Sequence, residues 1–498
     1  MTELVYGGDP IASNSHSSAQ RLTRYRLTRG VGRRSRSGLL LAAIVPLAVV
    51  ATVASFAAVQ HPGLNRALVA VVIGGCIAAA AIRAPGFAVL LTLGFLVFLG
   101  FLRRFLIPVS DWTSYDPLLL VAPLAGGVLL VRLFATDRRH LAGSPLAKLV
   151  IALLLLTVLE AFNPTLGRLL SGLAALLFLA VPLVWFFIGR MLPDRTQMAP
   201  LLWTVVGCGV SAALYGLVQA LAGLLPWDAA WVQVAGYSSL RVQGVVRPFG
   251  TFASSAEFAS YVAIALVVVL ALVLRGRRLA LLAAPILVWA LVLDSTRTAV
   301  VLALLAAVVL LGLQLRTTVG AAAAILAGAV AVVGTVVALG PTLESATATT
   351  GNPLLVRQVA GILHPLDPGR STLGLYAGTL AAGVKVALTD PIGIGTAATN
   401  SMGAKVAAPA MVTETDIGNA FVTLGLLGGA LLLAVVGMAI WTAVRLYWRS
   451  RDPVVLAVIG VLIVTLGQWL NGAHYAVAPL VWFMVGWIDR KRADGRAG

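Results

Sequence analysis

Charge is what this sequence has least of. Of its 498 residues only 11% are Asp, Glu, Lys or Arg, against 60% hydrophobic, and the mean hydropathy is +0.97. A soluble chain carries about a quarter charged residues, so a water-soluble globular protein is excluded. Acidic residues are scarcer than basic ones, 18 against 36, giving a formal net charge of +18. Cysteine is nearly absent. Cys76 and Cys208, the two present, fall within apolar stretches and read as small buried hydrophobes, leaving no disulfide or metal framework. No tandem repeat or low-complexity region is evident beyond the Ala, Val and Leu bias of the apolar runs.

Those runs recur at membrane-crossing length from Gly38 to Trp487. In lipid a backbone must satisfy its own polar groups, so the expected fold class is all-α, a polytopic transmembrane helical bundle of about 12–14 spans. Spans are expected near 38–59, 66–82, 85–102, 117–135, 147–162, 168–189 and 200–222. Further ones follow near 253–274, 279–294, 297–314, 318–340, 419–444, 453–470 and 475–488. Residues 1–37 read as a disordered basic tail, 38–490 as the membrane domain and 491–498 as a short C-terminal tail. The first run is longer than a signal-peptide core and follows a long basic tail, so a retained anchor is expected.

A net charge this positive would suit nucleic acid, but its distribution suits a membrane. Basic residues crowd the tail before the first span (Arg33, Arg34, Arg36) and fall in every second short loop, at Arg138–Arg139, Arg275–Arg278 and Arg445–Arg451, with Arg490–Arg492 after the last span. That alternation places both termini in the cytoplasm of a plasma membrane, and no nucleic-acid partner is expected. The Arg-rich tail can also touch anionic headgroups of membrane lipids. The outward connections are then 60–65, 103–116, 163–167, 223–252, 295–296, 341–418 and 471–474. The longest, 341–418, is too polar to span and holds a helical stretch near 371–388; connections of this length are usually functional. Arg103 and Arg104 fall on the outer side, against the trend.

Ionisable groups kept at membrane depth mark sites by default, and four clusters fall at the expected outer face. They are Arg241 and Arg247 with Thr251, Ser254, Ser255 and Glu257; Asp294-Ser295-Thr296-Arg297; the loop residues Arg357, His364, Arg370, Lys385 and Lys405 with the turn Asp390–Gly395; and Glu414–Asn419. Converging arginines suit a diphosphate, because the guanidinium forks onto phosphate oxygens and stays charged. A nearby carboxylate or His would serve as general base on an acceptor hydroxyl. Structural uses are open for each. Arg247 and Arg297 also suit snorkelling, Asp294 and Arg297 an i,i+3 pair, Glu257 an ion pair with a neighbouring span, and Asp416 a helix cap. His61, His140 and His474 read as surface or interfacial, and His364 as an exposed loop residue.

The order of motifs carries a resemblance. Tyr215-Gly216-Leu217-Val218-Gln219 closes one span and Arg247-Pro248-Phe249-Gly250-Thr251-Phe252 opens the next. Asp294–Arg297, Pro391-Ile392-Gly393-Ile394-Gly395, and Asn419 with Gly425-Leu426-Leu427-Gly428 follow. This set resembles the O-antigen ligase and Wzy-type polymerase superfamily, in its exopolysaccharide branch, over roughly residues 150–490. The resemblance implies a metal-independent inverting glycosyltransferase without a cofactor. Such an enzyme takes a glycan from an undecaprenyl-diphosphate carrier and passes it to another lipid-linked glycan (polymerase) or to a different acceptor (ligase). Chain-length regulators or export proteins are the partners that go with it. The family's outer-loop arginines hold the donor diphosphate; by motif order these are Arg247 and Arg297, with Arg241 and Arg370 behind them and Glu257, Asp294 and Asn419 in support. One departure matters. Ligases of the family carry a His-Asn pair where the long loop re-enters the membrane, whereas Gly418 precedes Asn419 here. That leaves Asp416 and Glu414, then His364, as the base, and tilts the reading towards a polymerase.

Two rivals differ in class. A transporter of lipid-linked glycan or of a small anion would set its ionisable residues near the midplane on broken helices, often with an internal repeat. A non-catalytic scaffold of an export complex would tolerate loss of the arginines and aspartates.

Overall fold

The computed structural model describes residues 62–113, 115–136, 143–166, 169–192, 197–235, 240–242, 244–367, 373–399, 415–470 and 474–497. The basic tail, the expected span at 38–59, Arg138 and Arg139 lie outside the described residues. The first half comprises α1 (Pro62–Arg83), α2 (Pro85–Phe105), α3 (Val121–Thr136), α4 (Pro145–Glu160), α5 (Leu169–Met191) and α6 (Met198–Leu221). A short helix α7 (Pro226–Val234) and a two-stranded hairpin, β1 (Arg241–Val242) and β2 (Val245–Val246), lead into α8 (Ser255–Leu274). Then come α9 (Ala284–Asp294), α10 (Arg297–Gly312), α11 (Thr318–Thr350), α12 (Pro353–Leu363), α13 (Leu373–Thr389), α14 (Asp416–Ser450), α15 (Pro453–Val464) and α16 (Val477–Ala497). Among the described residues eight helices are long and apolar enough to cross a membrane, and the chain is an all-α, multi-pass membrane protein.

Helix starts follow local chemistry. Proline opens α2, α4, α12 and α15, where its missing N–H costs nothing. Ser144, Ser254, Thr317, Asn352 and Asp452 cap the helices behind them through side-chain oxygens. The apolar α8 and α15 are the most enclosed and form the centre of the bundle, while α5 and α16 run closely packed along one another. α11 lies at the periphery with its apolar length uncovered. Cys76 and Cys208 are free and half-buried rather than fully enclosed.

The connections separate into two groups. At one end Arg247 meets Asp294, Glu257 meets Ala476, and Asp416 meets Leu470. At the other Arg451 donates to the carbonyls of Leu313 and Leu315, Lys491 pairs with Asp452, and Arg490 donates to the carbonyl of Arg190. The connections expected outside and those expected inside are thus segregated to opposite ends. The described part of the 341–418 connection is largely helical: α11 continues past its expected end to Thr350, and α12 and α13 follow. At 33 residues, α11 is about 50 Å long against about 30 Å of hydrocarbon, longer than a single crossing needs.

Two of the glycine motifs form one joint. α14 breaks at Gly425 (φ 67°, ψ −163°). Into the break fits the 391–395 turn: Ile394 N–H donates to the carbonyl of Val422 (3.1 Å), Gly395 N–H to Thr423 (3.2 Å), and Leu426 N–H to Pro391 (3.0 Å). The backbone bonds that the kink frees are satisfied by the turn. A Cβ on Gly425 would stand 2.6 Å from the carbonyl oxygen of Ile392. Gly425→Ala is therefore expected to cost at least ~2 kcal/mol. Thermal unfolding in detergent reads this, and an unchanged midpoint would rule the joint out as a structural requirement.

Candidate functional site

The first two motifs of the sequence form a single scaffold. Gln219, near the end of α6, accepts the N–H groups of Phe249 (3.0 Å) and Gly250 (2.8 Å) and donates to Asp228 (3.0 Å). The Tyr215 hydroxyl donates to the same carboxylate at 2.6 Å. Arg104 completes the knot, pairing with Asp228 at 2.8 Å, donating to the carbonyls of Gly250 (2.6 Å) and Phe252, and lying over the Phe249 ring. Arg103 and Arg66 share Asp116. Arg103 and Arg104, anomalous by charge pattern, are thus buried anchors of the 247–253 turn and its surroundings.

That turn aims Arg247 at the junction of α9 and α10. Its Nε donates to the carbonyl of Asp294 (2.8 Å), and its guanidinium pairs with the Asp294 carboxylate (3.2 Å) and the Thr296 hydroxyl. Asp294 therefore pairs with Arg247, not with Arg297 three residues on. Ser295, at φ 63°, lets α9 turn into α10 within two residues. Arg297 lies against α12, where a Cβ at Gly361 would take the place of its guanidinium. Arg357 is one turn earlier on α12, and Arg297 lies within electrostatic range of Arg357, Arg247 and Tyr376 of α13. Partial burial, then the like charge of Arg247, lowers the pKa of Arg357, with Tyr376 and Asp294 acting in the opposite sense. The Arg357 side chain makes no hydrogen bond to a described residue. The Oδ1 of Asp294 and the hydroxyls of Ser295 and Thr251 are buried without a hydrogen-bond partner among the described residues. Buried polar atoms are rarely left so.

An apolar groove of about 330 Å³ runs between α8, α9 and α10. Val292 and Val300 line its end nearest the turn, each within three residues of Asp294 or Arg297. A cationic cluster and a lipid-depth groove therefore adjoin.

The other expected residues are dispersed around this end. Arg241 is exposed on the hairpin, its backbone paired with Val246. Glu257 turns away from Arg247: its Oε1 accepts the Ala476 N–H at 2.7 Å. Asp416 is buried at the head of α14 with its Oδ2 accepting the Leu470 N–H at 2.5 Å, while the helix cap itself is Thr415. Asn419 is half-buried one turn further on. His364, half-buried just past the end of α12, has its Nε2 3.6 Å from Glu344. Glu414, Arg370 and Lys405 lie outside the described residues. His474 is buried rather than interfacial, because the segment after α15 folds back into the bundle, as the Ser260–Gln468 bond (2.7 Å) and the Glu257–Ala476 bond show.

Arg357 was visible only as one basic residue of a long loop, and Tyr376 not at all. The readable signal was Asn352-Pro353, a cap followed by a first-turn proline, which announces a helix inside that loop.

Fold and site together define a multi-pass helical membrane protein with a clustered-arginine site at one end of its bundle. Compared with protein-family models and with curated proteins, the chain finds no match.

Proposed function

We propose that this chain is a membrane glycosyltransferase that transfers or polymerises glycan units carried on undecaprenyl diphosphate, acting without a metal at the outer face of the plasma membrane. Both termini would then be cytoplasmic. The observation that carries the reading is the convergence of Arg247, Arg297 and Arg357 beside the α8–α10 groove. Guanidinium groups fork onto diphosphate oxygens, and an apolar groove at the same junction suits an amphiphile with an anionic head. The motif order supports the O-antigen ligase and Wzy-type polymerase superfamily, and Gly418 before Asn419 favours the polymerase within it. The acceptor is a glycan or lipid-linked glycan, with chain-length or export proteins as partners.

For the base, the candidates taken forward at this end of the bundle are Asp416, heading α14, and Asp294, with its unpartnered Oδ1. The test is the glycan profile of cells lacking the gene, complemented with wild type, Asp416→Asn or Asp294→Asn. Accumulated short lipid-linked units identify a polymerase, and the variant that fails to clear them while expressed normally identifies the base. Full-length polymer left on its carrier identifies a ligase. An unchanged profile in the deletion would sink the transferase reading.

A further inference from the structure

At the end of the bundle opposite the arginine site lies a cavity of about 380 Å³ that the proposed reaction does not use. Leu192, after α5, and Met198 and Ala199, at the start of α6, form part of its wall. Arg275 ends α8, Asp452 caps α15, and Trp487, Arg490, Lys491 and Asp494 come from the last turns of α16. The separation follows from helix lengths: Arg275 stands twenty residues beyond Ser255, about 30 Å along α8.

The polar groups are only partly matched. Lys491 pairs with Asp452 and Arg490 with Asp494 (3.5 Å). Arg275 is exposed, and its side chain makes no hydrogen bond or ion pair to a described residue. Three cations and two carboxylates leave one positive charge facing the cavity. The walls add an apolar face: Val454 and Trp487 line it, and the indole of Trp487 lies 4.8 Å from the Lys491 ammonium. An indole between apolar wall and cation is the arrangement of a bilayer interface.

We infer that this cavity binds the phosphodiester headgroup of an anionic membrane lipid. One phosphodiester balances the surplus charge, Arg275 supplies a forked donor with no competing carboxylate, and the acyl chains continue along the apolar wall. Basic pockets between membrane helices recognise headgroups in this way. The site is independent of the transferase reading.

The test uses the full-length protein in detergent, titrated with phosphatidylglycerol, phosphatidylcholine or inorganic phosphate, with thermal unfolding and native mass spectrometry as readouts. Phosphatidylglycerol should raise the unfolding midpoint and remain bound, and phosphatidylcholine should do neither. Arg275→Glu, at an exposed position that folding does not require, should weaken phosphatidylglycerol binding by roughly fivefold or more. Arg278→Glu makes the same change of charge in the same connection but outside the cavity walls, and should stay within about a factor of two of wild type. Equal effects of the two lipids, or wild-type binding by Arg275→Glu, would overturn the site. A shift of the same size from inorganic phosphate alone would overturn the lipid as its source.

Discussion

Arg357→Ala is expected to lower polymer output in complemented cells by roughly a hundredfold while leaving the protein folded. Arg357 is half-buried on α12 and its side chain makes no hydrogen bond to a described residue, so truncating it leaves no carboxylate stranded. Surface-type truncations of this kind usually change stability by less than about 0.5 kcal/mol. A donor diphosphate, in contrast, would lose a charge-assisted contact that strengthens as charge develops on the leaving phosphate. Arg357→Lys should recover only part of the activity, because an ammonium cannot fork onto two oxygens. Wild-type output from Arg357→Ala and from Arg297→Ala, at wild-type protein levels, would dismiss the arginine cluster as a donor site.

Arg247→Ala should behave differently, because here folding and function are entangled. Its guanidinium holds the fully buried Asp294 through the main-chain carbonyl and the carboxylate. Removing one partner of a buried pair leaves an uncompensated charge and costs ~3–5 kcal/mol. The double variant Arg247→Ala/Asp294→Asn removes both charges and should regain most of that stability without regaining activity. Thermal unfolding of the two single variants and the double variant in the same detergent closes the cycle. Additive losses, with no recovery in the double variant, would show that the pair is not energetically coupled. Loss of activity in Arg247→Ala alone therefore says little about the donor, and Arg297 and Arg357 are the sharper probes.

The segregation of connections to two ends also bears on the charged residues that broke the pattern. Arg103 and Arg104 counted against the topology when read by charge alone. Each proves committed to a buried carboxylate, Asp116 or Asp228. Buried pairs of this kind contribute little to topology signals, since a neutralised arginine no longer resists either side of a membrane. Arg104 further shows that the site is supported from far along the chain: it grips the 249–252 turn from the end of α2.

What the sequence determined by itself was everything that depends on chain-local chemistry. Apolar run length decided that the chain is a helical membrane protein, because a backbone in lipid has to satisfy its own hydrogen bonds. Prolines and capping side chains placed helix starts close to where they fall, as at Pro85, Pro145 and Pro453. The alternation of basic connections sorted the loops into two groups that the structure keeps apart, and the residues around Arg247 and Asp294 stood out by charge alone. Only the tertiary structure decided which charges meet. Arg247 and Glu257 are ten positions apart yet diverge to Asp294 and Ala476, whereas Arg297 and Arg357, sixty apart, converge. Spacing along a chain carries that information only within one helix, where neighbours recur at three and four residues. Between helices it is set by which faces pack, and α12, hidden in what composition marks as a loop, supplies the third arginine because it folds back over the turn that Ser295 makes.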